Sequence, residues 1–128
     1  MAAETNLNPF VVRLRIARIE RPNDTVEFTA EYDPASIYSW LNRDKVRTLS
    51  VQALQRRVFR LHGKIVERDI VALRVSVDEY SGCAIFVVAE SGEKERVGEH
   101  TLSAMSLAAD LENRRLVEKI WLALAAAS

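Results

Sequence analysis

Two histidines, one cysteine, a few adjacent carboxylates and a run of arginines are the residues in this chain with chemistry to offer. His100 follows Glu99 in GEHT, and a carboxylate beside an imidazole can pass a proton. A nucleophile would have to complete the constellation, and no Ser or Cys stands at a recognisable spacing from the pair. His62 precedes Gly63 and reads as a helix end, where an imidazolium meets the last carbonyls. Cys83 opens an apolar segment and reads as a small core residue. Asp78 and Glu79 lie in a turn-forming cluster, where paired acids are solvated. SGEK at 91–94 has the residue types of a phosphate loop without its pattern. No H-E-x-x-H, C-x-x-C or G-x-S-x-G occurs, and one cysteine with two histidines makes no zinc cluster. The expectation is a non-enzymatic protein without cofactor or metal.

The strongest electrostatic feature is elsewhere. The chain has 18 basic and 18 acidic residues, but residues 43–64 hold seven cations (Arg43, Lys45, Arg47, Arg56, Arg57, Arg60 and Lys64) against Asp44 alone. Within SVQALQRRVFRLHGK at 50–64, Val51, Leu54, Val58 and Leu61 fall at helical spacing. That spacing predicts a helix capped at Thr48 or Ser50 and stopped at Gly63, its apolar stripe in the core. The opposite face then presents Gln52, Arg56, Arg57, Arg60 and Lys64 to a partner. Arg56 and Arg60 are four apart, a like-charge pairing that costs about 0.2–0.5 kcal/mol unless acids relieve it. Those acids belong to a protein surface, to phosphate, or to the acidic second half of this chain, with Glu93, Glu95 and Glu99 as candidates. A nucleic-acid reading of residues 43–64 is the alternative, with Gln52 and Gln55 reaching base edges. It lacks an obvious stacking platform, and the neutral net charge leaves a modest footprint.

Thr101–Ala127 reads as a last helix, either covered on two sides or broken near Glu112–Asn113. Its end, LVEKIWLALAAA, is more apolar than one buried face requires. Val117, Trp121, Leu122 and Leu124 are therefore the expected contacts of a homodimer, with Trp121 as the anchor.

The elements that must carry these residues follow from periodicity. FVVRLRIARIE and TVEFTAEY alternate with period two and predict an antiparallel hairpin, Phe28 opposite Ile16 and Glu31 opposite Arg13. Asp33 and Pro34 start a short predicted helix over 33–42, and 43–48 is its charged connector. Residues 69–80 and 83–90 predict two more strands, the second apolar on both faces and therefore central. Residues 91–100 read as a polar loop or a short edge strand around Val97. The expected order is β-β-α-α-β-β-α: an α+β domain with an antiparallel sheet of four to five strands (two hairpins) packed against three helices. Residues 1–8 are expected to be a flexible N-terminus and 9–128 a single domain.

At 48% hydrophobic and 28% charged, the composition is that of a folded protein. MAAETNLNPF has neither the basic nor the apolar region of a signal peptide, and IWLALAAA is too short to span a bilayer. These features predict a cytoplasmic adaptor, inhibitor or assembly component, bound to a protein partner or to itself and not to a membrane.

Overall fold

The structure, a computed structural model, describes residues 9–120. Its elements in chain order are β1 (Val11–Ala17), β2 (Val26–Tyr32), β3 (Ser39–Asn42), α1 (Arg43–Leu49), β4 (Gln55–Leu61), β5 (Lys64–Val77), β6 (Tyr80–Ala89), β7 (Arg96–Val97), α2 (Glu99–Ala104), β8 (Leu107–Asp110) and β9 (Arg115–Glu118). The expected α+β arrangement is overturned. The described residues form a seven-stranded mixed sheet and a two-stranded one, with two short helices.

The large sheet runs β1-β2-β7-β3-β6-β5-β4, and β1 also pairs with β5. That extra pairing closes six strands into a barrel and leaves β4 outside it. Two pairs in the closed sheet are parallel, β2 with β7 and β3 with β6, which a sheet of hairpins would not contain. Inward positions alternate along each strand: Val12, Leu14 and Ile16 on β1, Phe28 and Ala30 on β2, Val71, Leu73 and Val75 on β5, Ala84, Phe86 and Val88 on β6. Phe28 and Phe86 meet edge-to-face across the interior, their centroids 5.7 Å apart. Val46 and Leu49 of α1, Leu102 of α2, Met105 and Leu107 complete the same core.

The first hairpin forms, but its register differs from the expected one by two residues. Phe28 lies opposite Leu14, Thr29 opposite Arg13 and Glu27 opposite Arg15. A two-residue shift keeps every side chain on its face, and exposed opposite-charge pairs, worth only about 0.2–1 kcal/mol each, are too weak to hold the expected pairing. Val97 does sit in a short strand, yet that strand lies between β2 and β3 and is not an edge.

Three helical expectations and one connector fail for local reasons. The Asp33 side chain caps a turn through the Ala35 N–H (2.9 Å), but the helix does not propagate. The carbonyls of Ser36 and Ile37 are instead taken by the Glu99 and His100 N–H groups at the start of α2. Residues 39–42 then enter the barrel as β3. The expected connector becomes α1, capped by the Asn42 side chain on the Lys45 N–H and ended by Ser50 at φ 56°. The expected helix over 50–63 is the strand β4. Helix over 101–127 stops at Ala104, and β8 and β9 follow as a hairpin that turns through Glu112–Asn113. There the Asp110 carboxylate accepts from the Asn113 backbone and side-chain amides and from Arg115.

Two glycines allow close approaches. A Cβ on Gly82 would stand 2.0 Å from the Ala104 carbonyl oxygen, and one on Gly98 2.5 Å from the Tyr38 backbone. Beside Gly98, the buried Ser39 hydroxyl accepts from the Gly98 N–H and bonds the Thr101 hydroxyl at 2.5 Å.

Candidate functional site: the β4–β5 arm

β5 is longer than the barrel needs. Its pairing with β6 covers Ile70–Val77, while residues 64–70 pair with β4. The result is a two-stranded arm whose tip is His62–Gly63, a two-residue turn with both residues at positive φ (52° and 79°). Turns of that kind match the right-handed twist of the strands they join. His62 is thus a hairpin tip and not a helix end.

The two faces of the arm differ. On the inner face Phe59 packs edge-on against Trp40 (5.7 Å) and Tyr38 (6.2 Å). Trp40 belongs to β3, three strands away in the sheet order, roughly 14 Å if the sheet were flat. The arm therefore curls back over the outer wall. There Trp40, Ile70, Val87 and Ala89 form a second small core, joined by Tyr38, Phe59, Leu61 and Ile85. Arg96 lies 5.8 Å from the Trp40 ring and donates to Asp33 (3.0 Å). At the base of the arm, the Arg68 guanidinium grips the Glu93 carboxylate through Nε and Nη2. This side-chain bond holds the Glu93 carboxyl below the usual carboxylate range against the opposing effect of burial.

The outer face carries Leu54, Arg56, Val58, Arg60, Ile65 and Glu67. Leu54, Val58 and Ile65 are each exposed at about 60% (60%, 60% and 61%), among the most exposed large apolar residues described. One edge of β4 has no strand partner among the described residues. Val51, half-buried, does pack on the main core, but Leu54 and Val58 do not supply the buried stripe the helical spacing implied.

The basic run is largely neutralised from within. Arg43 meets Asp69 and Glu90, Lys45 meets Glu95 at 2.9 Å, Arg47 meets Asp44, and Arg56 meets Asp69 at 3.0 Å and Glu67 at 3.6 Å. Of the acids expected to answer it, Glu95 does so, Glu93 holds Arg68, and Glu99 turns to Lys119. Arg57, Arg60 and Lys64 have no carboxylate partner among the described residues; Arg57 donates to the Tyr38 hydroxyl at 3.4 Å and, with the Gln55 amide turned, to the Gln55 side-chain oxygen at 3.0 Å. Gln52 is exposed in the segment before β4 and outside the strand.

The other candidates separate. Glu99 and His100 begin α2, but the Glu99 carboxylate accepts from the Ser103 hydroxyl and from Lys119. The Ser103 bond chiefly, and Lys119 after it, keep that carboxyl below its ordinary range, which makes it a poor base. His100 instead packs edge-on against Tyr38 at 5.3 Å. Cys83 is exposed on the outer wall, not buried. Val117 lies half-buried on β9 opposite Ala108, so the helix meant to carry the dimer contact is absent as far as it is described. Trp121, Leu122 and Leu124 lie outside the described residues. Among the described residues no group of three or more His, Cys, Asp or Glu is placed to hold a metal, and no helix is long and apolar enough to cross a membrane.

The clefts have mixed charge. One of about 420 Å³ is lined by Arg13, Arg15, Glu27 and Asp78 with Thr25 and Ser76. Another of about 360 Å³ joins the arm's tip at His62 to Tyr32, Asp33, Lys94 and Arg96. In neither do a nucleophile, a base and an orienting group converge. No protein-family model matches the chain, and no curated protein matches it significantly in sequence.

Proposed function

We propose that this chain is a non-enzymatic protein-binding module whose contact surface is the β4–β5 arm. The observation that carries the reading is an unpaired strand edge beside an outer face that exposes Leu54, Val58 and Ile65 together. Natural sheets shorten, charge or cover such edges, because free N–H and C=O groups recruit other strands. This edge is seven residues long and is flanked by apolar side chains, a combination that suits recruitment. Internal neutralisation of Arg43, Lys45, Arg47 and Arg56 leaves too few free cations to favour a phosphate backbone. The nearby aromatics Tyr38, Trp40 and Phe59 pack on one another and offer no open stacking platform.

Affinity capture from native cell extract, with and without nuclease, tests the reading. The immobilised chain should retain a protein after nuclease treatment, and V58D/I65D should lose it while keeping the wild-type circular dichroism. Retention abolished by nuclease, or unaffected by V58D/I65D, rejects the arm as the protein-contact surface.

A further inference from the structure

The arm also specifies what kind of segment fits it, an inference that rests on the reading above. Two cations of the free-edged strand β4, Arg57 and Arg60, have no carboxylate partner among the described residues, and Lys64, also without one, opens β5 across the hairpin from Leu61. Arg60 shares the outer face with the exposed Val58, and Arg57 points to the inner face. Successive residues of an added strand alternate between the same two faces. A strand laid antiparallel along β4 therefore meets Arg60, then Phe59, Val58 and Arg57.

We infer that the edge of β4 takes up an extended acidic segment as an added strand, with the pattern acid, any residue, apolar, acid. The first acid faces Arg60, the apolar residue covers Val58, and the second acid faces Arg57. Main-chain hydrogen bonds along the edge supply sequence-independent affinity, and the two carboxylates supply selection. A second copy of this chain is a poor occupant. Pairing β4 with itself brings Arg56, Arg57 and Arg60 of both copies onto one seam, and like charges across a strand pair repel. Pairing centred on Val58 would set Arg56 directly opposite Arg60 of the other copy. An acidic strand removes that conflict.

Fluorescence anisotropy with labelled peptides of about seven residues, the length of β4, reads this directly. The probe carries a Glu-Thr-Val-Glu core. One control replaces each Glu by Lys, and a second keeps Glu but carries N-methyl groups on alternate backbone nitrogens. The Glu peptide should bind, more weakly at high salt. The Lys control should fail, and N-methylation on the register that faces β4 should weaken binding at least about tenfold, as should R57E/R60E in the protein. Conservative R57K/R60K should retain most of the binding.

Equal binding of the Glu and N-methylated peptides on both registers overturns strand addition in favour of charge adsorption. Absence of binding by the Glu peptide overturns the inference, and a capture result still sensitive to V58D/I65D would leave the protein-binding reading standing. Concentration-dependent dimerisation lost in R57E/R60E would make the occupant a second copy and overturn it. So would a mixed-sequence oligonucleotide that binds more tightly than the Glu peptide through the same arginines.

Discussion

The barrel and the arm are made from the same long strand, yet they differ in nearly every physical respect. Where β5 lies in the barrel, its partners are β6 and β1, and Val71, Leu73 and Val75 are fully buried. Where it lies in the arm, its one strand partner is β4, and Ile65 is 61% exposed. The barrel has its edges closed by the β1–β5 pairing and its interior filled. The arm is a two-stranded ribbon, open along β4 and, among the described residues, along residues 64–69 of β5, and is held to the wall by a few aromatic contacts and ion pairs. On the proposed reading, stability and binding fall to different segments, which is how a rigid scaffold can present an adhesive strand without risking its core.

The barrel should break hardest. Phe86→Ala removes a fully buried ring that meets Phe28, and should cost about 3–5 kcal/mol in urea unfolding. Gly82→Val drives a side chain into the Ala104 carbonyl and should cost about 1–3 kcal/mol or more, with α2 displaced. Ser39→Ala leaves the buried Gly98 N–H and Thr101 hydroxyl short of a partner, a loss of about 1–3 kcal/mol on the same assay. A change in the urea midpoint no larger than that of a surface substitution would show that these contacts do not hold the barrel.

The arm should respond differently. Phe59→Ala should raise amide hydrogen exchange across residues 55–69 while leaving the barrel strands β1, β2 and β6 protected. Uniform deprotection would mean that arm and barrel are one cooperative unit. The Arg68–Glu93 pair adds a pH dependence. Glu93 has its carboxyl lowered in the folded protein, so its contribution is present above the ordinary glutamate range and is lost as the pH falls through the depressed folded value. Arm protection should therefore weaken on acidification, and Glu93→Gln should weaken it at neutral pH and flatten the dependence. The smallest effect is expected at Arg60→Ala, within about 0.5 kcal/mol of wild type in stability, because the side chain has no carboxylate partner to lose.

The barrel half was also the more legible half in the sequence. Val12, Leu14 and Ile16, Val71, Leu73 and Val75, and the doubly covered β6 segment all announced themselves by period-two or continuous apolar patterning. What stayed hidden was closure, because parallel pairing of β3 with β6 joins residues far apart in the chain and leaves no local mark. The arm misled for the opposite reason. Val51, Leu54, Val58 and Leu61 mimic a helical stripe, yet none is fully buried: Val51 and Leu61 are half-buried, Leu54 and Val58 exposed. The available signal was the dipeptide His62–Gly63 between QRRVFRL and KIVERDIV, two β-rich runs that a two-residue turn would pair. Read as a hairpin, the same arginines alternate between two faces instead of lining one. The patch was legible as basic, but which cations are free depended on Asp69, Glu90 and Glu95 arriving from strands and loops far along the chain.

Backbone amide NMR during titration with the Glu peptide tests the central claim most directly. The account predicts chemical-shift changes concentrated at Gln55–Leu61, with alternate β4 amides gaining protection from exchange as they acquire partners. Changes centred on the Arg13–Arg15 cleft, or shifts at β4 without any new amide protection, would contradict it.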